Sequence, residues 1–246
     1  MHLPATRRTA MEALARGASL SEVSRRTGVA RSTLRSWTLN PAPASECPRC
    51  VGAHPAQGAA YAALLGFYLG DGCLSHYRGS WALRVSCDRT LSGIYRDVSS
   101  RIRDVHPTGQ VWHASAPGVV VVQSNWKHWP CLFPQHGPGR KHERPIVLED
   151  WQAEIVRAFP ADFLRGLFHS DGCRVINWTT RQVAGQKKRY EYGRWQFVNA
   201  SEDILGLCSW ALDLAAVEWR RSAPRVVSVS RREAVTRLDA LIGPKT

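Results

Sequence analysis

The chain has 246 residues, 44% of them hydrophobic and 22% charged, enough for a sizeable core with a small extra domain. Lys and Arg number 33 against 20 Asp and Glu, a formal charge of +13, and such a surplus points to a polyanionic partner, double-stranded DNA first. No apolar run is long enough to span a bilayer, the N-terminus lacks a signal-peptide core, and the basic residues are not gathered on one amphipathic helix. No membrane partner is therefore expected, and the protein is placed in the cytoplasm with the nucleoid. Seven scattered cysteines fit reduced thiols better than a disulfide frame.

Residues 1–40 predict a small all-α unit. Ser19 is a helix N-cap with Glu22 three residues on, the pattern of a capping box. Leu20 and Val23 face inward, and Gly28 makes a tight turn. A following helix points Val29, Leu34 and Trp37 inward and Arg31, Ser32, Thr33, Arg35 and Ser36 outward. An earlier helix around Met11 and Leu14 completes the core. Two short helices joined by a glycine turn, the second basic and rich in hydroxyls, resemble a helix-turn-helix. In such units the second helix enters the major groove, which nominates Arg31, Ser32, Thr33 and Arg35 as DNA contacts.

Residues 41–58 are rich in Pro, Ala, Ser and Gly and read as a linker. Cys47 and Cys50 form a C-x-x-C pair near His54, half of a zinc site. The second pair that such a site needs is missing, so two metal-free linker thiols are expected.

From Tyr61 the chain repeats. "LLGFYLGDGC" at 64–73 returns as "LRGLFHSDGC" at 164–173, "SAPGVV" at 115–120 returns as "SAPRVV" at 222–227, and "GPGRK" at 137–141 has a shorter echo in "GPK" at 243–245. Three matches in one order argue for a duplicated unit, 59–148 and 149–246. Each copy reads helix, strand, strand, helix, strand, strand, helix. The first strands are Cys73–His76 with Trp81–Cys87, and Arg174–Thr180 with Tyr190–Val198. Asp88 and Ser201 are expected to N-cap the middle helices. The later hairpins turn at Ala116-Pro117-Gly118 and Ala223-Pro224. The second copy has a longer first hairpin, tipped by "RQVAGQKKRYEYGR". The fold class is thus α+β, a pseudo-twofold αββαββα duplication preceded by the helical unit.

A carboxylate at a helix C-terminus is unfavourable by a few tenths to about 1 kcal/mol, yet Asp71 and Asp171 both stand there. Asp-Gly is ordinary turn chemistry, which explains one such end but not two in matched positions. Gly66 and Gly70 lie four residues apart on one helix face, as do Gly166 and Ser170, and small residues at that spacing let helix backbones approach closely. If the two helices pack about a pseudo-dyad, Asp71 and Asp171 come side by side. That negative spot needs a cation, and carboxylate oxygens are hard ligands suited to Mg²⁺.

Both segments resemble the LAGLIDADG motif, "LLGFYLGDG" at 64–72 and "LRGLFHSDG" at 164–172, and the resemblance covers nearly all of 61–246. Proteins with two such motifs, of the DOD type, are typically monomeric homing endonucleases. The resemblance implies that the motif helices form the interface between halves and that each sheet forms a saddle over DNA. It also implies that Asp71 and Asp171 bind catalytic Mg²⁺ for cleavage of both strands. Basic residues near the end of each half are implied to support catalysis, which nominates Lys141 and Lys245, with Arg140 and Arg144 as alternatives. The motif's earlier acidic position is Leu69 in one copy and His169 in the other, and His169 is expected on the helix surface. Cys73 and Cys173 are expected as small buried strand starters. Arg181, Gln182, Gln186, Lys187, Lys188 and Arg189, on the long hairpin, are expected to contact DNA, since Gln and Arg read bases and Lys binds phosphate. Most of the ten tryptophans are expected in the core. The competing reading is a transcriptional regulator on the same scaffold that has lost cleavage, in which the motif acids tend to be lost.

Overall fold

The computed structural model describes residues 4–39 and 57–246, so Cys47, Cys50 and His54 lie outside the described residues. The N-terminal unit has three helices, α1 (Pro4–Ala15), α2 (Leu20–Thr27) and α3 (Arg31–Leu39). Ser19 Oγ accepts a hydrogen bond from Glu22 N at 3.2 Å. Gly28 closes α2 at φ 68°, a left-handed conformation that glycine adopts without strain. Ala10, Ala13, Val23, Val29 and Leu34 form the core, with Leu14, Leu20 and Trp37 packed against it. The first helix thus contributes alanines to the centre, and Met11 stays half-buried.

The remainder folds as two copies of one plan. The first comprises α4 (Gly58–Leu69), β1 (Gly72–Tyr77), β2 (Ser80–Asp88), α5 (Ser92–Val105), β3 (Trp112–Ala116), β4 (Val119–Asn125) and α6 (Trp129–Leu132). A connecting helix, α7 (Asp150–Ala158), leads into α8 (Pro160–Asp171), β5 (Gly172–Val183), β6 (Gln186–Val198), α9 (Glu202–Leu214), β7 (Arg220–Ala223), β8 (Val226–Val229) and α10 (Arg232–Ile242). Each copy builds a four-stranded antiparallel sheet, in the order β1-β2-β4-β3 and β5-β6-β8-β7. The class is α+β, and the identical strand orders carry the duplication.

Alternation sets the sheet faces. In β2, Leu83, Val85 and Cys87 are buried, while Arg84 and Ser86 point the other way. In β6, Trp195 and Phe197 are buried and pair with Val229 and Val227. Both inner faces close on α4 and α8, and one continuous core runs from Tyr61 to Ile242. Helix α4 is buried on every side, from Ala60 to Leu69. Each fully buried leucine there contributes about 1.5–3 kcal/mol.

Several local expectations are corrected. Asp88 does not cap α5: its Oδ1 accepts from Thr90 N at 2.8 Å, ending β2 in an Asx turn, and Leu91 is the cap residue. Ser201 does cap α9, accepting from Ile204 N. The last helix of the first copy is cut to the single turn of α6, which begins at Trp129-Pro130. The tryptophans follow expectation: Trp129 and Trp195 are fully buried, Trp81, Trp126, Trp151, Trp210 and Trp219 pack against the main core and Trp37 against the N-terminal one, while Trp112 and Trp178 are 40% and 57% exposed. The segment expected as a hairpin tip is paired almost throughout. The β5–β6 ladder runs to Val183↔Gln186 and turns on Ala184-Gly185 alone, at φ 49° and 77°, as two-residue hairpins require.

Two polar links, one buried and one half-buried, join the halves. Gln152, fully buried on α7, donates to Tyr61 Oη on α4 at 2.6 Å. On the far side, Arg165 of α8 meets Asp97 of α5 at 2.7 Å and donates to Ile242 O at 2.6 Å.

Candidate metal centre and nucleic-acid face

Helices α4 and α8 meet glycine to glycine. A Cβ added to Gly66 would lie 2.9 Å from Gly166 Cα and 2.8 Å from Leu167 N, and one added to Gly166 would lie 2.9 Å from Gly66 Cα. One turn on, a Cβ at Gly70 would strike Ser170 and lie 3.5 Å from Asp171 Oδ2. The backbones are therefore in contact where both helices end, and the two acids share that end. Neither glycine after an acid is there for a left-handed turn, since neither has a positive φ. Gly72 and Gly172 let the first strand leave directly over the last helical turn: a Cβ on Gly72 would meet the Tyr68 backbone, and one on Gly172 would stand 2.7 Å from Phe168 Cα.

The acids differ in their partners. Asp171 Oδ2 accepts a hydrogen bond from Asn199 Nδ2 at 2.7 Å, and Asn199 is held by Ser201 N, which donates to its Oδ1. Asp71 accepts no side-chain hydrogen bond among the described residues, and neither acid is in an ion pair there. Burial pushes the Asp71 carboxyl above its usual range, against the pull of Lys141 and Lys245. Burial and then the Asp71 charge push Asp171 up to about 6, with Asn199 and the two lysines opposing. Asn199 escaped the sequence reading. Its only signal is an asparagine two residues before a helix-capping serine.

The two lysines explain how such helix ends persist. Lys141 Nζ donates to Tyr68 O, Leu69 O at 2.9 Å and Gly70 O at 2.6 Å. Lys245 Nζ donates to Phe168 O at 3.4 Å, Ser170 O at 3.0 Å and Gly172 O at 2.6 Å. Each ammonium caps the motif helix of its own half, supplying cation and donors where the free carbonyls need them. Towards the acids the arrangement crosses over. Lys141 lines one cleft with Asp171 and Asn199, and Lys245 lines another with Asp71. Burial lowers Lys141 to about 8, with Asp171 the larger opposing charge, and burial lowers Lys245, with Asp71 the largest opposing charge. Arg140 stands at the rim of the first cleft, and Arg144 is tied to Gln135 O at 3.2 Å and Gly139 O at 2.8 Å.

Other neighbours depart from expectation. His169 is buried rather than on the helix surface, its pKa pushed down to about 4 by burial and by Arg165, with Nε2 3.4 Å from Gly243 O. Cys73 and Cys173 are exposed, because the buried strand starter is the glycine before each.

The donor set fits a hard divalent cation. It consists of two carboxylates, the exposed Asp71 with no side-chain hydrogen bond and the half-buried Asp171, at helix ends whose carbonyls are already engaged by lysine. Among the described residues no group of three or more His, Cys, Asp or Glu gathers.

Strand register sorts the basic hairpin into two faces. Arg181 pairs with Lys188 and Val183 with Gln186, on the face shared by Arg194, Gln196 and Tyr192. Gln182 pairs with Lys187 and Thr180 with Arg189, on the side continuous with Trp195 and the helices. In the first sheet, Arg84, Gln123 and Trp112 form one row on the outer face, beside Asn125. Alternation in "WALRVSCD" was the available signal for Arg84. In the N-terminal unit, Arg31, Ser32 and Arg35 are exposed and Thr33 half-buried. Arg31 reaches Ser21 Oγ at 3.4 Å.

No protein-family model and no curated protein sequence matches the chain. Similar solved structures include I-DmoI in complex with DNA and Mn, with TM-score 0.49 and 14% identity over 77% of this chain and 99% of that one. The LAGLIDADG meganuclease I-AabMI bound to uncleaved DNA aligns with TM-score 0.45 and 14% identity, over 74% of this chain and 82% of that one. The N-terminal LAGLIDADG domain of DUF199/WhiA aligns with TM-score 0.47 and 14% identity, over 79% and 88%. Among the described residues no helix is long and apolar enough to cross a membrane.

Proposed function

We propose that this chain is a monomeric, Mg²⁺-dependent DNA endonuclease of LAGLIDADG type that cuts both strands of a long recognition site. The observation that carries the reading is the glycine-on-glycine contact of α4 and α8, which sets two incompletely partnered carboxylates in one another's field. Asp71 and Asp171 hold the cation. A divalent ion bound there would supply an activated water and stabilise the leaving oxygen. Lys141 and Lys245 offset phosphate charge through space, since their protons are engaged by helix-end carbonyls. The outer sheet faces lie over the duplex, and α3 acts as a tethered second reader through Arg31, Ser32, Thr33 and Arg35. Retention of both motif acids supports cleavage.

The engagement of the Lys141 protons on three carbonyls favours a second reading, a silent DNA-binding regulator. The test is incubation of the purified chain with a randomised plasmid library, with and without Mg²⁺. Double-strand breaks that need Mg²⁺, lost in Asp71→Asn and Asp171→Asn while DNA binding persists, support the nuclease. Bound sites without breaks overturn it in favour of the regulator.

A further inference from the structure

The geometry points to a lopsided grip on DNA, in which the β5–β6 ribbon extends contact at one end of the site well beyond anything the first half reaches. This rests on the DNA-binding reading above and deepens it. The β1–β2 ladder has six paired rows and turns at Arg78-Gly79, whereas β5–β6 has twelve and turns at Ala184-Gly185. Only Trp195–Val198 of β6 also pair with β8, so from the Val175↔Arg194 row outward the ribbon has two strands and no third. At about 3.4 Å per residue the six extra rows span roughly 20 Å. That is the rise of about six base pairs of B-DNA.

Charge selects the occupant. Residues 178–191 carry Arg181, Lys187, Lys188 and Arg189 against Glu191 alone. A two-stranded ribbon has the width of a major groove. The outer face presents Asn177 with Tyr192, Thr179 with Tyr190, Arg181 with Lys188, and Gln186, a set of hydrogen-bonding tips on rigid rings and cations. The opposite face braces itself. The Arg189 guanidinium lies 5.0 Å from the Trp178 ring centroid and pairs with Glu191 at 2.7 Å. A self-braced back and a basic, amide-bearing front suit a ribbon laid along a groove by its front.

The test begins with duplexes selected from a randomised pool by the full chain in EDTA, followed by hydroxyl-radical footprinting on the selected duplex. The expected footprint is longer on one side of its centre by about six base pairs. Replacing residues 178–191 by Asn-Gly, which leaves six rows as in the first half, should shorten the long side by about six base pairs and leave the other side unchanged. With the ribbon left whole, the double variant Arg181→Glu, Lys188→Glu should lose protection at the long end and lower the salt slope of binding by about two. A wild-type footprint of equal arms, or one that neither variant shortens, overturns the lopsided grip while leaving DNA binding intact. Failure to enrich or protect any duplex overturns the DNA-binding reading and the ribbon with it.

Discussion

Two acids sit where helix dipoles disfavour them, and two lysines seventy or more residues downstream offset that cost. Lys141→Met leaves the carbonyls of Tyr68, Leu69 and Gly70 without their donor, and the expected loss is about 1–3 kcal/mol by urea unfolding. Lys245→Met should cost a similar amount. A loss below about 0.5 kcal/mol in both would show that the caps contribute little. His136 supplies a pH signature. Burial, aided by Arg144, lowers its pKa from 6.5 to about 4, so between those values the unfolded chain binds the proton and the folded chain does not. Its contribution to stability therefore falls as pH drops from about 6.5 to 4, and His136→Gln should remove that share of the pH dependence in pH-resolved unfolding, while His169, lowered likewise, keeps its own. At this scale the sequence displayed the acids, through the repeat, and the lysines, through a shared echo. It could not display that each lysine caps its own helix while facing the other half's acid, because that crossing exists only after the helices dock. Nor could it show His169 buried, since a histidine on a motif helix looks the same on either face.

At the level of elements, the motif helices are defined by what they lack. Gly66→Ala places a methyl against the Phe163 and Leu167 backbone, and the expected destabilisation is about 1–3 kcal/mol or more. Gly206, exposed on α9 with nothing within 4 Å of an added Cβ, is the matching control. Gly206→Ala should stabilise by about 0.5–1 kcal/mol, so opposite signs from one chemical change report the helix contact. At the ribbon turn, Ala184 holds φ 49°, a region that costs a non-glycine L-residue about 1–2 kcal/mol and that asparagine tolerates better. Ala184→Asn should therefore raise the midpoint of thermal unfolding rather than lower it. Strand positions were legible because alternation has a fixed period. The ribbon's length was not, because Arg, Lys and Gln between two strands look like a loop until cross-strand pairing satisfies their backbones. The stunted last helix of the first copy was hidden for the opposite reason: the repeat implied an α10 equivalent, and tertiary packing of Trp129 and Phe133 replaced it.

For the whole molecule, the continuous core through α4 and α8 couples the halves, while residues 4–39 carry a small core of their own. Hydrogen exchange should show residues 57–246 opening as one cooperative unit and α1–α3 exchanging sooner, as a core of five buried side chains implies. Asp97→Asn severs the link to Arg165 across the halves, and the expected cost is about 1–3 kcal/mol, reduced from the fully buried case by solvent at Arg165. The charge of +13 was plain from composition, and the duplication from three ordered echoes. Inequality between the halves showed only in outline, as the longer first hairpin of the second copy, since nothing in the residues told that the extra length is paired strand. That inequality has an implication for the kind of site the protein can favour. Two identical subunits would carry identical ribbons and be matched by a palindrome. One chain with a short arm and a long arm has no true dyad on its working surface. An inverted repeat would give it no advantage, and sequence information should be distributed unevenly about the centre of any duplex it grips as proposed.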